Sequence, residues 1–412
     1  QSRSSAASDV YKRQVSSLRA GAAATVLPTA VAGRAYAANE TIAIGVIGTG
    51  GRARQLMQSL KRVGGIHFTS VCDIWQDALS EARKIAGEKA AVHHDYRKLL
   101  DGKDCDAVLI GTPDHWHVTM TVDACAAGKD VYVEKPLTHT LEEGDRVIEA
   151  QNRHQRVVQV GQQQRSMWHL REARDKYMAS GQVGKVHQIR VWWNRSCYGL
   201  ANGPTRYTID PKRLDWKAFL GTAPDQPFDP VRFREWRFFW DFGGGILTDL
   251  MTHFIDVVHW YMDMDRPLTA CAAGGMYFAK TGWETPDTIN ALFTYPGDRG
   301  VVFHGTFSNG THGAGIEFQG SNGTLYVDRN RYEYHTLEPK AKPVIQLADD
   351  KAKGTDETRD KQDEAHLKNW IDAMRSRQKP YCPAEVGVSA AAVAHMGNTA
   401  YRTHSVVKAK AS

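Results

Sequence analysis

The order of apolar and polar positions divides the chain into two stretches of different character. From Thr41 to Ile47 the run TIAIGVI is almost continuously apolar, the pattern of a strand buried on both faces. Short apolar runs recur at His67–Cys72, Asp106–Ile110, Asp130–Val133 and Val157–Val160, while His115–Ala127 and Leu141–Asn152 read as helices. Strand and helix in alternation predict a doubly wound parallel sheet. Beyond a helix expected at Met167–Ser180 the strands lengthen, at Val186–Trp193, Thr288–Tyr295, Val301–Phe307 and Ile316–Gln319. They predict a large open, mostly antiparallel sheet. Two helices, near Lys361–Arg377 and Val386–Arg402, complete that second part, with the Lys351–Lys361 charge run read as a solvated loop. A chain of 412 residues exceeds what one core usually organises, so we expect domains at 39–161 and 162–412.

Composition narrows the partners. At 42% hydrophobic and 24% charged the chain is ordinary globular material. Its 52 Lys and Arg against 46 Asp and Glu leave +6, and these charges are interleaved rather than gathered into a stripe, which argues against a nucleic-acid partner. No run reaches the roughly 18 apolar residues of a membrane-spanning helix. The six cysteines form no CxxC pair, so neither a zinc site nor a disulfide framework is expected. Ahead of the first strand, Ala20–Ala32 is a short Ala-rich apolar run followed by Ala35-Tyr36-Ala37, the pattern of an export signal, so a periplasmic or otherwise exported protein is expected; the competing reading is an Ala-rich leader of a cytoplasmic enzyme. Ser5–Gln14 resembles a translated sequencing adapter. Residues 1–38 are therefore set aside from the fold.

The first strand leads directly into Gly48-Thr-Gly-Gly-Arg-Ala53, a GxGxxA turn. Gly48 supplies the turn's backbone angles, Gly50 lets a pyrophosphate approach the main chain, and Ala53 is small where the helix meets the sheet. Gly51 and Arg52 open that helix, whose amino terminus faces the phosphates. Asp73 ends the second strand, 25 residues after Gly48, where a carboxylate accepts from both ribose hydroxyls and repels a 2'-phosphate. This favours NAD over NADP as the cofactor of a Rossmann-type sheet. Ligands sit at the carboxyl ends of such strands, so Thr112, Pro113 and His117 of the segment Gly111–His117, and Glu134 and Lys135 of Glu134-Lys-Pro136, should border it.

Downstream, Phe242–Asp256 begins with glycines and turns into an apolar helix. Asp249 and His253 are i and i+4, on one face, so the carboxylate can support an imidazole whose other nitrogen acts as acid and base. The competing reading is an Asp favoured by the helix dipole and a His packed in the core. His115-Trp-His117 lacks a spaced third ligand, and no metal is expected.

Taken together, the glycine turn, the TPxxxH segment Thr112–His117, the EKP tripeptide and GGGxLxD with a histidine four residues on resemble the Gfo/Idh/MocA (glucose-fructose oxidoreductase / inositol dehydrogenase) family. The likeness runs from about Thr41 to Arg402. Asp114 departs from it, the commoner residue there being Asn, as does Met251-Thr252. The resemblance implies Lys135 beside nicotinamide and the substrate hydroxyl, a cis Lys135–Pro136 bond, His117 near cofactor or substrate, and catalysis by Lys135, His253 and Asp249. It implies an NAD-dependent oxidoreductase acting on a secondary alcohol of a sugar or glycoside, and a homo-oligomer. An NAD-dependent glycosidase working by transient oxidation and elimination is the nearest alternative, and a nucleotide-bound sugar sensor without turnover is another. Six of the 11 tryptophans fall between Trp192 and Trp260, where rings can stack on sugar faces or anchor a core. For the substrate, Arg165, Asn194, Arg195 and Trp240 join Asp249 and His253 as candidates.

Overall fold

The computed structural model describes residues 40–196, 207–279, 282–348 and 355–409, with the side chains of 355–360 left aside. The expected export segment lies outside these residues. The first sheet is built by β1 (Ile42–Ile47), helix α1 (Gly51–Val63), β2 (Ile66–Cys72), α2 (Gln76–Ala86), β3 (Ala91–His93), β4 (Ala107–Ile110), α3 (Asp114–Ala126), β5 (Asp130–Val133), α4 (Gly144–Arg153) and β6 (Val158–Val160). All six strands are parallel in the order β3-β2-β1-β4-β5-β6. Every residue of β1, β4, β5 and β6 is buried, as a sheet covered on both faces requires. β3 is three residues long and largely exposed, so no apolar run announces it. From the neighbours β1 and β4 the chain winds in opposite directions, which opens a crevice at their carboxyl ends.

The second sheet has nine strands in the order β14-β13-β12-β11-β7-β10-β9-β8-β15. β7 (Val186–Asn194) pairs with β10 (Arg299–Thr306) in parallel, and the remaining pairs are antiparallel. β8 (Thr269–Gly275), β9 (Thr288–Tyr295), β11 (Ala314–Gly320), β12 (Gly323–Val327), β13 (Arg331–Thr336), β14 (Val344–Leu347) and β15 (Val407–Lys408) complete it. Burial alternates along β9, so one face packs and the other meets solvent. The packed face carries α5 (Thr252–Met262), which continues from a π-helical turn at Leu247–Met251.

The carboxy-terminal helices depart from expectation. α6 (Thr355–Ser376) begins inside the charge run read as a loop and does not complete the second sheet. Leu367, Trp370, Ile371 and Met374 share a core with β1 and α1, because this apolar stripe finds its complement on the first sheet. α7 (Ala384–Thr403) spans both halves: Gly387 lies against Val160, while Val393 and Met396 join the second core. The Met167–Ser180 helix divides into an α-helical part, Trp168–Ala173, and a π-helical one, Arg174–Ala179. Cys72, Cys105, Cys125, Cys271 and Cys382 are free thiols; Cys197 lies outside the described residues.

Candidate active site

The crevice starts at Gly48, whose φ of +77° and surroundings admit only glycine: a Cβ there would lie 2.6 Å from Thr112 Cγ2 and 2.7 Å from Thr112 N. Gly111 in turn rests on Ala53, where a larger side chain would lift α1 off the sheet. Cβ atoms at Gly50 and Gly51 would meet nothing within 4 Å, so this stretch of main chain is open to a ligand. α1 begins without a side-chain cap and without an acid in its first turn, which leaves its N–H groups available to an anion. Asp73 accepts from Thr49 N at 2.5 Å, Thr49 Oγ1 at 2.9 Å and Trp75 N at 2.8 Å. Burial pushes its carboxyl up against those bonds. A carboxylate offers about four lone-pair sites, so acceptor capacity remains for a ribose.

Across the crevice, Lys135 follows β5 and precedes Pro136 through a cis peptide bond. Its ammonium donates to Asp249 Oδ1 at 2.9 Å and to the Asp249 carbonyl. Arg237 Nε reaches the same carboxylate at 3.2 Å. Burial pushes the Asp249 carboxyl up, but the Lys135 and Arg237 charges outweigh it and hold the group well below the usual carboxylate range. This corrects the pairing expected from the i, i+4 spacing: Asp249 supports Lys135 and makes no hydrogen bond to His253. The reason is electrostatic. Two full cations bind a buried carboxylate more strongly than a neutral ring does, and His253 stays neutral because burial and the charges of Lys135, Arg329 and Arg52 push its pKa well down. The imidazole instead stacks on Trp193, ring centroids 5.6 Å apart, and the Arg329 guanidinium lies 4.6 Å from the Trp193 centroid.

Other expected residues divide between the cleft and the scaffold. Arg52 lines the cleft, yet its guanidinium is committed to Asp363 of α6, at 2.6 and 2.8 Å, and to Glu134 at 3.0 Å. Glu134 also accepts from Gln163 at 2.9 Å. Both ring nitrogens of His117 face carbonyls, of Pro136 at 2.7 Å and Thr112 at 2.9 Å, so this histidine ties the two strand-end loops together. His115 turns elsewhere, to the Phe219 carbonyl at 2.8 Å, which divides the HxH pair between separate partners. Asp114 is 3% exposed and lines the cleft. Burial raises its carboxyl well above the ordinary value, and Lys135 and Arg237 offset this only in part.

The four additional substrate candidates stand away from the cleft lining. Arg165 is held by both oxygens of buried Asp256 at 2.9 Å, a bidentate pair that uses its fork. Asn194 donates to the Thr311 carbonyl at 2.9 Å. Arg195 is exposed, and only its charge reaches Asp249. Trp240 is fixed by Glu284 and His139 through its main chain and covered by Arg402, 4.9 Å from its ring centroid. Sequence reading missed Arg237 and Arg329 at the reacting end and had Trp193 only as one of six clustered tryptophans; the two arginines lie in no motif, and only folding brings them beside Lys135 and His253.

The whole cleft measures about 850 Å³ and is lined by both halves, including Gly48, Asp73, Thr112, Lys135 and His253. Five buried polar atoms of lining residues lack a partner: Trp75 Nε1, Thr112 Oγ1, Asp114 Oδ1, His253 Nδ1 and Gln362 Oε1. Orphaned groups of this kind are costly unless a ligand meets them. Together with the open glycine turn they fit a dinucleotide. Among the described residues, no group of three or more His, Cys, Asp or Glu is placed to hold a metal, and no helix is long and apolar enough to cross a membrane.

Comparison with known proteins agrees with this geometry. Residues 42–162 match the model of the Gfo/Idh/MocA oxidoreductase family, NAD-binding Rossmann fold, and residues 222–408 match that family's C-terminal alpha/beta domain. A glycosyl hydrolase family 109 protein of Solibacter usitatus is 37% identical over 123 residues, 27% of this chain and 28% of that protein. The inositol 2-dehydrogenase/D-chiro-inositol 3-dehydrogenase of Shouchella clausii is 35% identical over 123 residues, 29% of this chain and 36% of that protein. The matches thus span about a third of these curated relatives. Levoglucosan dehydrogenase, solved with NADH and L-sorbose, shares the fold at a TM-score of 0.71 and 16% identity, over 90% of this chain and 99% of that one.

Proposed function

Because this chain belongs to the Gfo/Idh/MocA oxidoreductase family, with its NAD-binding Rossmann fold, we propose that it moves hydride between tightly bound NAD and a secondary alcohol of a sugar or glycoside, the 3-hydroxyl being a candidate position. One observation carries the reading: Lys135 and His253, from opposite halves of the chain, line one cleft with the open glycine turn. The turn at Gly48–Gly51, with Asp73, holds the dinucleotide. Bound NAD supplies the acceptor and donor of hydride.

The protein's own groups manage the oxygen and its proton. The Lys135 ammonium, anchored by Asp249, donates to the alcohol oxygen and stabilises negative charge as it develops there. His253, kept neutral, accepts the hydroxyl proton in oxidation and returns it in reduction. Stacking on Trp193 fixes the plane of its ring. Ligand entry displaces water from this half-enclosed site, which strengthens both interactions.

The test is the absorbance of reduced nicotinamide in NAD-loaded protein during a panel of sugar and glycoside additions. It should rise with at least one member. Silence across the panel would overturn the reading and favour the sensor. The glycosyl hydrolase name of the Solibacter relative supports a second reading, a redox-neutral glycosidase using the same groups. An aryl glycoside separates the two: a keto-glycoside supports the first, free reducing sugar the second. Export and homo-oligomerisation belong to the same proposal. The first rests on the Ala20–Ala37 pattern. The second rests on exposed Leu292, Val344, Ile345 and Leu347 of the second sheet. Cell fractionation and light scattering test them in turn.

A further inference from the structure

The Asp73–Trp75 side of the cleft is bordered by a segment that belongs to neither sheet and that runs on to Arg237 beside Asp249. Between β7 and the π-helical turn, the chain from Tyr207 to Phe239 crosses to the carboxyl edge of the first sheet. Leu214 forms an isolated antiparallel bridge with Trp75, two residues past Asp73, and Asp215 N donates to the Ile74 carbonyl at 3.1 Å. Arg213 pairs with Asp77 at 2.6 Å. The Phe219 carbonyl accepts from His115 at 2.8 Å and from Trp116 at 3.0 Å. Phe233 meets the Trp75 ring edge-on at 5.4 Å, and the Arg234 guanidinium lies 5.4 Å from the same ring. Asp215, Lys217, Phe233 and Arg234 all line the cleft opposite Asp73 and Trp75.

Two features mark this wall as built for a ligand. The Trp75 indole N–H is buried without a partner. Arg234 makes ring contacts with Trp75 and Tyr207 and, among the described residues, no ion pair. Burial and the charge of Arg54 push its pKa down, so an anion or an electron-rich ring beside it relieves a cost.

We propose that Tyr207–Phe239 is the outer wall of the dinucleotide site, that Phe233, Arg234 and Trp75 contact its adenosine half, and that this wall makes NAD a resident group. The inference rests on the reading that NAD occupies this cleft. It adds where retention comes from. Release requires the Leu214–Trp75 bridge and the Phe219 hydrogen bonds to open together, whereas binding at the glycine turn alone would leave the adenosine edge in solvent.

The test measures the dissociation of bound NAD from the purified full chain, by nucleotide content after gel filtration and by chase with excess unlabelled NAD. Wild-type protein should keep its nucleotide through the column. Phe233→Ala and Arg234→Ala should each release it about tenfold faster or more, an effect on the off-rate. Arg213→Ala cuts a half-exposed pair outside the cleft lining, so it should fold normally and still speed release. Fast release from the wild type, or equal rates in folded variants, would overturn the proposal. Its fate is separable from that of the proposed reaction: slow release without turnover of any sugar leaves the wall standing, and turnover with freely exchanging NAD refutes the wall alone.

Discussion

The ammonium of Lys135 lies 2.9 Å from the carboxylate of Asp249, across 114 residues of sequence. The pair joins the end of a parallel strand to the π-helical turn ahead of α5, and so fixes the cleft's reacting end from both sides. Both side chains are largely buried, at 10% and 17% exposure. A buried pair broken on one side strands the other charge, so the arrangement holds an ammonium in place ready for a ligand oxygen.

Lys135→Met should lower kcat by about 10²–10³, the loss typical of one removed oxyanion donor, while bound NAD remains detectable in the purified protein. Asp249→Asn should lower kcat as well. Because Asp249 acts through Lys135, the double variant should be no worse than Lys135→Met alone. Additive losses in steady-state kinetics would show that Asp249 has an independent role.

His253 sets the acid limb of activity. Burial, with Lys135, Arg329 and Arg52, pushes its pKa well below the ordinary histidine value. A base must be unprotonated, and this one remains so as pH falls through about 6.5, the ordinary value. The pH profile of kcat/KM for oxidation should therefore show no His253-dependent decline near 6.5 and turn down only at lower pH. His253→Gln should cost about 10²–10⁴ in kcat. A limb centred at 6.5 that vanishes in the variant contradicts the depressed pKa.

Two glycines of one turn should behave differently. Gly50→Ala places a methyl group in open space at φ −60°, so thermal stability should stay within about 0.5 kcal/mol of wild type while NAD affinity falls. Gly48→Ala meets Thr112 at a φ of +77° and should destabilise the fold by more than about 1–2 kcal/mol. Paired melting curves and NAD titrations check both; equal melting points for the two variants refute the distinction.

Asp114→Asn should stabilise nucleotide-free protein at neutral pH. Burial raises the folded carboxyl's pKa, with Lys135 and Arg237 offsetting part of it. The unfolded group titrates near 4. Above that value the unfolded chain has lost a proton that the folded chain keeps, so stability falls as pH rises toward the folded pKa. The variant removes this penalty, for a gain of at least about 1 kcal/mol at pH 7 that disappears near pH 4. Denaturant melts at the two pH values decide it.

Much of the candidate site is legible locally. Gly48, Gly50 and Ala53 announce a turn because backbone angles and close packing constrain those positions directly. Thr112 and Lys135 follow strands whose apolar runs are unmistakable, and ligands gather at such strand ends. Arg165 misled because a guanidinium advertises charge without naming its partner, and Asp256 is the partner that folding supplies. The i, i+4 spacing of Asp249 and His253 misled in the same way: it places two groups on one face without ranking the cations that approach from elsewhere.

The amino-acid order alone determined the two sheets and the strand ends where the cleft lies, since burial on one face or two is written in the period of apolar residues. Tertiary structure alone decided that α6 covers the first sheet, that Asp249 serves Lys135, and that Tyr207–Phe239 closes over Trp75. Those outcomes depend on which of many similar side chains come within a few ångströms. Coulomb energy and packing act through space, and spacing along the chain does not record it.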